Sequence, residues 1–250
     1  MRKLYIAWQD PVERRWYPVG RLTFEDKVYR FVYTKGAEKA QNSKRFIPFG
    51  RLKDLRVPYE SNELFPLFAN RLLSEKRPEY ENYIKWLKLD KNFHDNRQLA
   101  MLAITGGGRG TDSLEILPCP LPTSKGEYEV IFFSHGLSHL EKSILELVNK
   151  LKSGDRLFLM FDVQNLYDPR AITLRTDDPV IIVGYCPRYL TKDFSDILEK
   201  CGNSIPQVSV EQVNTDAPLQ LRLLCKLNSP WPDSFQPCSG ELFEPLETQS

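Results

Sequence analysis

The stretch from Gly154 to Pro187 constrains the fold more than any other part of this chain. It reads Gly154-Asp155-Arg156-Leu157-Phe158-Leu159-Met160-Phe161-Asp162, then Asn165-Leu166-Tyr167-Asp168-Pro169-Arg170-Ala171-Ile172, and then Ile182-Val183-Gly184-Tyr185-Cys186-Pro187. The first segment is a strand that stops at a polar turn. Asn165 and Asp168 are turn formers whose side chains bond nearby backbone amides, and Pro169 presets a turn φ. Strand character resumes over 171–174, and a β-branched run from Val180 to Tyr185 supplies a third strand. The acidic pair Asp177-Asp178 falls in the hairpin turn between them, where solvation accounts for it.

The first hundred residues have a different texture. Residues 1–34 hold three alternating runs around Tyr5, Tyr17 and Phe31, separated by charged segments, which predicts a small antiparallel meander. Residues 35–43 are polar and read as a loop. Apolar residues then recur at spacings of three and four over 62–89, with Pro78 at the break between two helices or in the first turn of the second. A third helix is expected over 96–104, stopped by Gly106-Gly107-Gly108, with a returning strand over 114–117. Cys119-Pro120-Leu121-Pro122 denies regular structure and marks a boundary. Beyond it come a strand over 128–134, a helix over 140–151 with Leu140, Ile144, Leu147, Val148 and Leu151 on one face, a helix over 190–200, and strands over 207–213 and 219–227. The proline-rich composition of 228–250 predicts a loosely ordered tail, with Trp231, Phe235 and Phe243 as docking aromatics. The domains expected are therefore 1–118 and 127–227, with 119–126 as linker. The fold class is α+β: a small N-terminal antiparallel sheet with helices, then an OB-like six-stranded β-barrel with one or two helices.

Composition narrows the function. Lys and Arg number 34 against 33 Asp and Glu, a net charge of +1. Nucleic-acid binding therefore has to rest on a local basic surface rather than on global attraction. No apolar run nears the roughly 20 residues of a membrane helix, and Trp8-Gln9-Asp10 interrupts any signal-peptide core. The five cysteines form no C-x-x-C pair and the histidines are only His94, His135 and His139, so no metal site, no cofactor and no disulfide framework are expected, and the setting expected is reducing and cytoplasmic.

Several motifs carry a bland and a sharp reading together. Gly106-Gly107-Gly108-Arg109-Gly110 lacks the lysine of a phosphate loop and is preceded by a helix, not a strand, so it reads as a helix stop, with a backbone-amide nest for phosphate as the alternative. Residues 35–56 interleave Lys35, Lys39, Lys44, Arg45, Arg51, Lys53 and Arg56 with Phe46 and Phe49; a nucleic-acid surface and a solvated loop fit equally. No Ser–His–Asp or Cys–His arrangement has a recognisable context, and the expectation is a protein that is not an enzyme.

Asn165-Leu166-Tyr167-Asp168-Pro169-Arg170-Ala171-Ile172 followed by Val183-Gly184-Tyr185 fits the pattern N-x-Y-D-x-x-A-I, then (I/V)-G-(Y/H), and resembles the HIRAN domain over roughly residues 127–227. The resemblance implies a modified OB-type barrel that binds single-stranded DNA, preferentially at a 3′-hydroxyl end. It implies that Tyr167 stacks on a terminal base, that Asp168 accepts a hydrogen bond from the 3′-hydroxyl and that Asn165 helps orient the end. Family members carry an Arg-Tyr pair after a Gly-Leu step. Here Gly136-Leu137 is followed by Ser138-His139, so His139 is left to stack and Ser138 to bond a phosphate, without the fixed charge. Arg156, Arg170, Arg175, Arg188 and Lys192 are the nearby sources of phosphate contacts, though each taken singly reads as a solvated side chain.

The N-terminal half carries Val19-Gly20-Arg21-Leu22, Tyr29-Arg30-Phe31-Val32-Tyr33 and Leu64-Phe65-Pro66-Leu67-Phe68-Ala69-Asn70-Arg71-Leu72, then a glycine turn before Leu114-Glu115-Ile116-Leu117. These segments resemble the N-terminal subdomain of HipA-type serine/threonine kinases over roughly residues 3–118. Nothing after them resembles the kinase core. The leading expectation is a DNA-binding protein of genome maintenance, defence or toxin–antitoxin systems. The alternative is an interaction module that binds and restrains a HipA-type kinase. A DNA-processing complex is a partner compatible with both.

Overall fold

The computed structural model describes residues 2–89, 96–110, 112–166, 168–201 and 206–246. The chain divides into two units, residues 1–80, 91–119 and 236–250 forming one and residues 81–90 and 120–235 the other. No helix among the described residues is long and apolar enough to cross a membrane.

The first unit is built on β1 (Arg2–Gln9), β2 (Trp16–Glu25) and β3 (Val28–Tyr33), the expected meander. Helix α1 (Lys35–Gln41) follows, then β4 (Tyr59–Ser61), α2 (Pro66–Ala69), α3 (Tyr80–Trp86), which belongs to the second unit from Glu81 onward, α4 (Arg97–Thr105) and β5 (Leu114–Pro118). The sheet is antiparallel in the order β4-β3-β2-β1-β5. Its core gathers Ile6, Val19, Leu22, Phe31, Tyr33, Phe68, Leu99 and Ile116.

Helix α1 replaces the loop expected over 35–43. Only Gly36, Ala37 and Ala40 face inward, so the helix has almost no apolar signature. Smallness is what the packing needs: a Cβ on Gly36 would lie 2.0 Å from the Pro18 carbonyl oxygen. The basic segment also changes character. Phe46 is buried and Phe49 packs against the core, while Arg45 binds Asp10 and Glu13, Arg56 binds Glu38 and Lys35 binds Glu244. Aromatic surface and much of the charge are thus used within the unit. The glycine turn after α4 is likewise tied inward, with Arg71 donating to the Gly107 carbonyl at 2.8 Å and pairing with Asp112.

The second unit contains β6 (Glu127–Phe133), α5 (Lys142–Val148), β7 (Arg156–Phe161), β8 (Ile172–Arg175), β9 (Ile182–Tyr185), α6 (Thr191–Lys200), β10 (Gln207–Val213) and β11 (Leu223–Pro230). They form one antiparallel six-stranded sheet in the order β6-β11-β10-β7-β8-β9, curled into a half-barrel. Tyr128, Phe132, Leu157, Ile172, Leu174, Phe194 and Leu227 fill it. On α5 it is Leu145 and Val148 that meet this core, whereas Leu147 is exposed. The segment after α3 is held in this unit by Trp86, whose indole donates to Asp216 at 3.1 Å, and by Lys88 paired with Glu211.

The segment expected to be a loosely ordered tail has defined partners. Trp231 and Phe235 pack on Tyr128 in the second unit. Phe243 meets Tyr5 edge-on in the first, where Leu246 also donates its backbone N–H to the Tyr33 carbonyl.

Asp193, on the first turn of α6, is 8% exposed and receives the Tyr128 hydroxyl at 3.3 Å. Burial pushes its pKa up to about 6 against the lowering effect of that hydrogen bond. The folded chain therefore holds a proton that the unfolded chain releases near pH 4. This group's contribution to stability is greatest at and below about pH 4 and declines as pH rises through 6, by at most about 3 kcal/mol. In urea titrations of the full chain, Asp193→Asn is expected to be the more stable protein at pH 7 and to lose stability less steeply than the parent between pH 4 and 7. A parent and variant with parallel pH profiles would show that Asp193 titrates normally.

Candidate nucleic-acid interface

The site lies where the curled sheet closes on itself. Ser134 and His135 continue past β6 and join β9: His135 and Tyr185 exchange both backbone hydrogen bonds at 2.9 Å, and the Ser134 hydroxyl donates to the Val183 carbonyl at 3.0 Å. Gly184 sits between these bonds with φ +124°, and a Cβ there would lie 2.0 Å from Ser134 Oγ and 2.7 Å from the His135 carbonyl oxygen. Glycine is the residue that lets β9 approach this closely. The glycine of the Val183-Gly184-Tyr185 motif is therefore a closure residue, and it fixes where Tyr185 stands.

Beside the closure is a cleft of about 280 Å³. His135, Gly136 and His139 line it from the segment after β6, Asn165, Asp168 and Ala171 from the β7–β8 loop, Tyr185 and Cys186 from the end of β9, and Arg188 and Thr191 from the turn into α6. Four separate segments supply polar groups to one concave surface.

The β7–β8 loop is held by its own side chains. Asn165 Oδ1 accepts from the Asp168 backbone N–H at 3.0 Å, and Asn165 Nδ2 donates to Asp162 Oδ2 at 3.1 Å. The same Asp162 oxygen accepts the Tyr185 hydroxyl at 2.9 Å, linking loop to closure strand. Burial first, and the neighbouring Asp162 carboxylate second, raise the pKa of the Tyr185 phenol, which stays a donor. Asp168 Oδ1 accepts from the Arg170 backbone N–H at 3.0 Å, and its Oδ2 meets Arg188 Nε at 2.9 Å. The Asp168 side chain is 13% exposed and that of Arg188 34%, so the pair is sheltered on the carboxylate side and open on the guanidinium side. Charge-assisted bonds of this kind are stronger than neutral ones.

Of the residues expected at the site, His139, Asn165, Asp168 and Arg188 come together in the cleft. Ser138 is exposed on the turn Leu137–His139 and does not line it, Arg170 contributes through its backbone while its side chain is exposed, and Lys192 is engaged with Asp196 at 2.6 Å. Tyr167 lies outside the described residues. His135, Asp162 and Tyr185 are site residues that the candidate set omits. Tyr185 stood in the Val-Gly-Tyr motif and was legible there; the place of His135 depends on a pairing fifty positions away, for which the local sequence has no signal. Among the described residues no group of three or more His, Cys, Asp or Glu side chains is arranged to hold a metal ion.

No curated protein matches the chain. Two solved structures are similar to part of it. A protein from Lactobacillus plantarum aligns over 42% of this chain and 97% of its own, with 19% identity and a TM-score of 0.33. The HIRAN domain of human HLTF aligns over 43% of this chain and 79% of its own, with 14% identity and a TM-score of 0.29. Residues 128–231, which take in the sheet closure and every residue of the cleft, match the family model of the HIRAN domain.

Proposed function

We propose that the second unit binds single-stranded DNA and takes the 3′ end of the strand into the cleft. The observation that carries this reading is the Asp168–Arg188 pair at 2.9 Å on the cleft wall. A lone carboxylate would repel a phosphate backbone. Arg188 offsets that repulsion and leaves Asp168 able to accept from a hydroxyl. It also supplies, from the turn after β9, the fixed positive charge missing from Ser138-His139. The imidazole of His139 adds a flat surface for a base, and aromatic stacking is worth about 1–3 kcal/mol per base. Tyr167 takes the terminal stack in this reading, on the strength of the resemblance.

The protein acts by binding and not by catalysis. The first unit is the partner-facing part, a HipA-like module that engages a HipA-type kinase or a DNA-processing complex, in the cytoplasm and in a setting of genome maintenance, defence or toxin–antitoxin control. In favour of that likeness, Val19, Leu22, Phe31 and Phe68 of its short motifs are all core residues and Gly20 lies under the Phe31 ring.

The test is a titration of the full chain against blunt duplex, 3′-overhang and 5′-overhang oligonucleotides. Tightest binding to the 3′ overhang is expected, with affinity that falls as salt rises. Equal affinity for all three would remove end recognition, and no affinity for any would remove DNA binding.

A further inference from the structure

The outer face of the sheet next to the cleft carries a pair of cations that the cleft leaves unused. Residues two apart on a strand share a face, and directly paired residues stand side by side. Arg156, Phe158 and Met160 of β7 therefore share a face with Thr173 and Arg175 of β8, since Phe158 pairs with Arg175 and Met160 with Thr173. The guanidinium carbons of Arg156 and Arg175 lie 4.8 and 4.7 Å from the centre of the Phe158 ring. One ring thus holds two like charges.

Neither guanidinium has a carboxylate partner among the described residues, whereas Lys88, Arg188, Lys192 and Lys226 of the same unit are each paired. Among the described residues, the hydrogen bond Arg175 makes is to the neighbouring Thr176 carbonyl, at 2.8 Å. The ring attracts each cation, but it cannot cancel their mutual repulsion. An anion bound between them would. The patch also stands beside the cleft in the sheet, because Thr173, itself buried, pairs on its far side with Tyr185, a cleft residue. From the Thr173 row to the Arg175 row is one two-residue step, roughly 6.8 Å, which matches two nucleotide rises of about 3.4 Å along the axis of a stacked strand. Met160, 38% exposed, stands opposite Thr173 in the first of these rows.

We propose that Arg156 and Arg175, held on the Phe158 ring, form a second phosphate subsite for the strand whose end occupies the cleft, contacting its backbone about two nucleotides inward from that end. This rests on the cleft reading, and oligonucleotide length separates the two. A dinucleotide reaches only the cleft; an octanucleotide reaches both.

Arg156→Gln/Arg175→Gln is compared with the parent by fluorescence anisotropy with a thymidine dinucleotide and octanucleotide over a series of salt concentrations. The parent is expected to bind the octanucleotide more tightly. The double variant is expected to keep dinucleotide binding, to lose about tenfold for the octanucleotide, and to show a salt slope shallower by about 0.7, the value for one single-strand phosphate. Arg156→Lys/Arg175→Lys should restore most of that slope, which separates charge from packing. A double variant with undiminished octanucleotide affinity and slope would overturn the subsite, as would a parent that binds both lengths equally; in either case the cleft reading stands. A parent that binds neither length would overturn the cleft reading and the subsite with it.

Discussion

Gly184→Ala is expected to lower the melting temperature of the chain's second unit by on the order of 10 °C. Two costs combine. The backbone at Gly184 has φ +124°, a conformation that a residue with a Cβ rarely adopts, and the added methyl would overlap Ser134 Oγ at 2.0 Å and the His135 carbonyl at 2.7 Å. Ser134 is held at both ends, by its backbone bond to Leu223 and its hydroxyl bond to Val183, so it cannot step aside without breaking the closure. Overpacking of this kind costs typically about 1–3 kcal/mol and backbone strain a similar amount. Gly154→Ala provides the control: φ there is +94°, but nothing lies within 4 Å of the position a Cβ would take. It should show the strain without the overlap and melt well above Gly184→Ala. If the two variants melt together, β9 is not locked against Ser134 and His135 as described, and the cleft wall carrying Tyr185 is not fixed by this glycine.

That closure also marks the boundary of what the sequence can reveal. The β7–β8–β9 strands were legible because their signals are local: β-branched runs, an Asn and an Asp at the turn, and a proline after it. The internal bonds of Asn165 and Asp168 show why those residue types stand there, whatever else they do. Helix α1 was not legible, because a helix whose buried positions are Gly36, Ala37 and Ala40 leaves no apolar stripe to count. Phe46 and Phe49 left two readings open for a different reason. Between basic residues they suggest a surface for bases, yet the ion pairs of Arg45 and Arg56 show that the charges point one way and the rings another. The pairing of Arg188 with Asp168 was out of reach for a third reason. Twenty residues and two strands separate the partners, and only the fold of β8 against β9 returns one to the other.

The second large effect belongs to that pair. Asp168 accepts from Arg188 and from a backbone amide, and the remaining room at its carboxylate faces the cleft. A terminal 3′-hydroxyl supplies a donor for it. A terminal 3′-phosphate removes the donor and brings negative charge to a carboxylate, while Arg188 offsets part of that repulsion. The unaltered chain should therefore prefer the hydroxyl end by a modest factor, within about tenfold or 1.4 kcal/mol. Asp168→Ala leaves the Arg188 guanidinium without its carboxylate in the cleft, so the preference should vanish or reverse, with the 3′-phosphate bound at least as tightly as the hydroxyl. Because the substitution breaks a partly buried pair, folding of the variant is checked by its melting curve.

The most direct measurement is a competition titration of one single-stranded oligonucleotide in two forms, ending in a 3′-hydroxyl or a 3′-phosphate, against the parent chain and Asp168→Ala at the same salt concentration. Weaker binding of the phosphate form by the parent, together with loss or reversal of that difference in the variant, is the result predicted for a cleft that receives a 3′ end through the Asp168–Arg188 pair. Equal binding of both forms by the parent would contradict it.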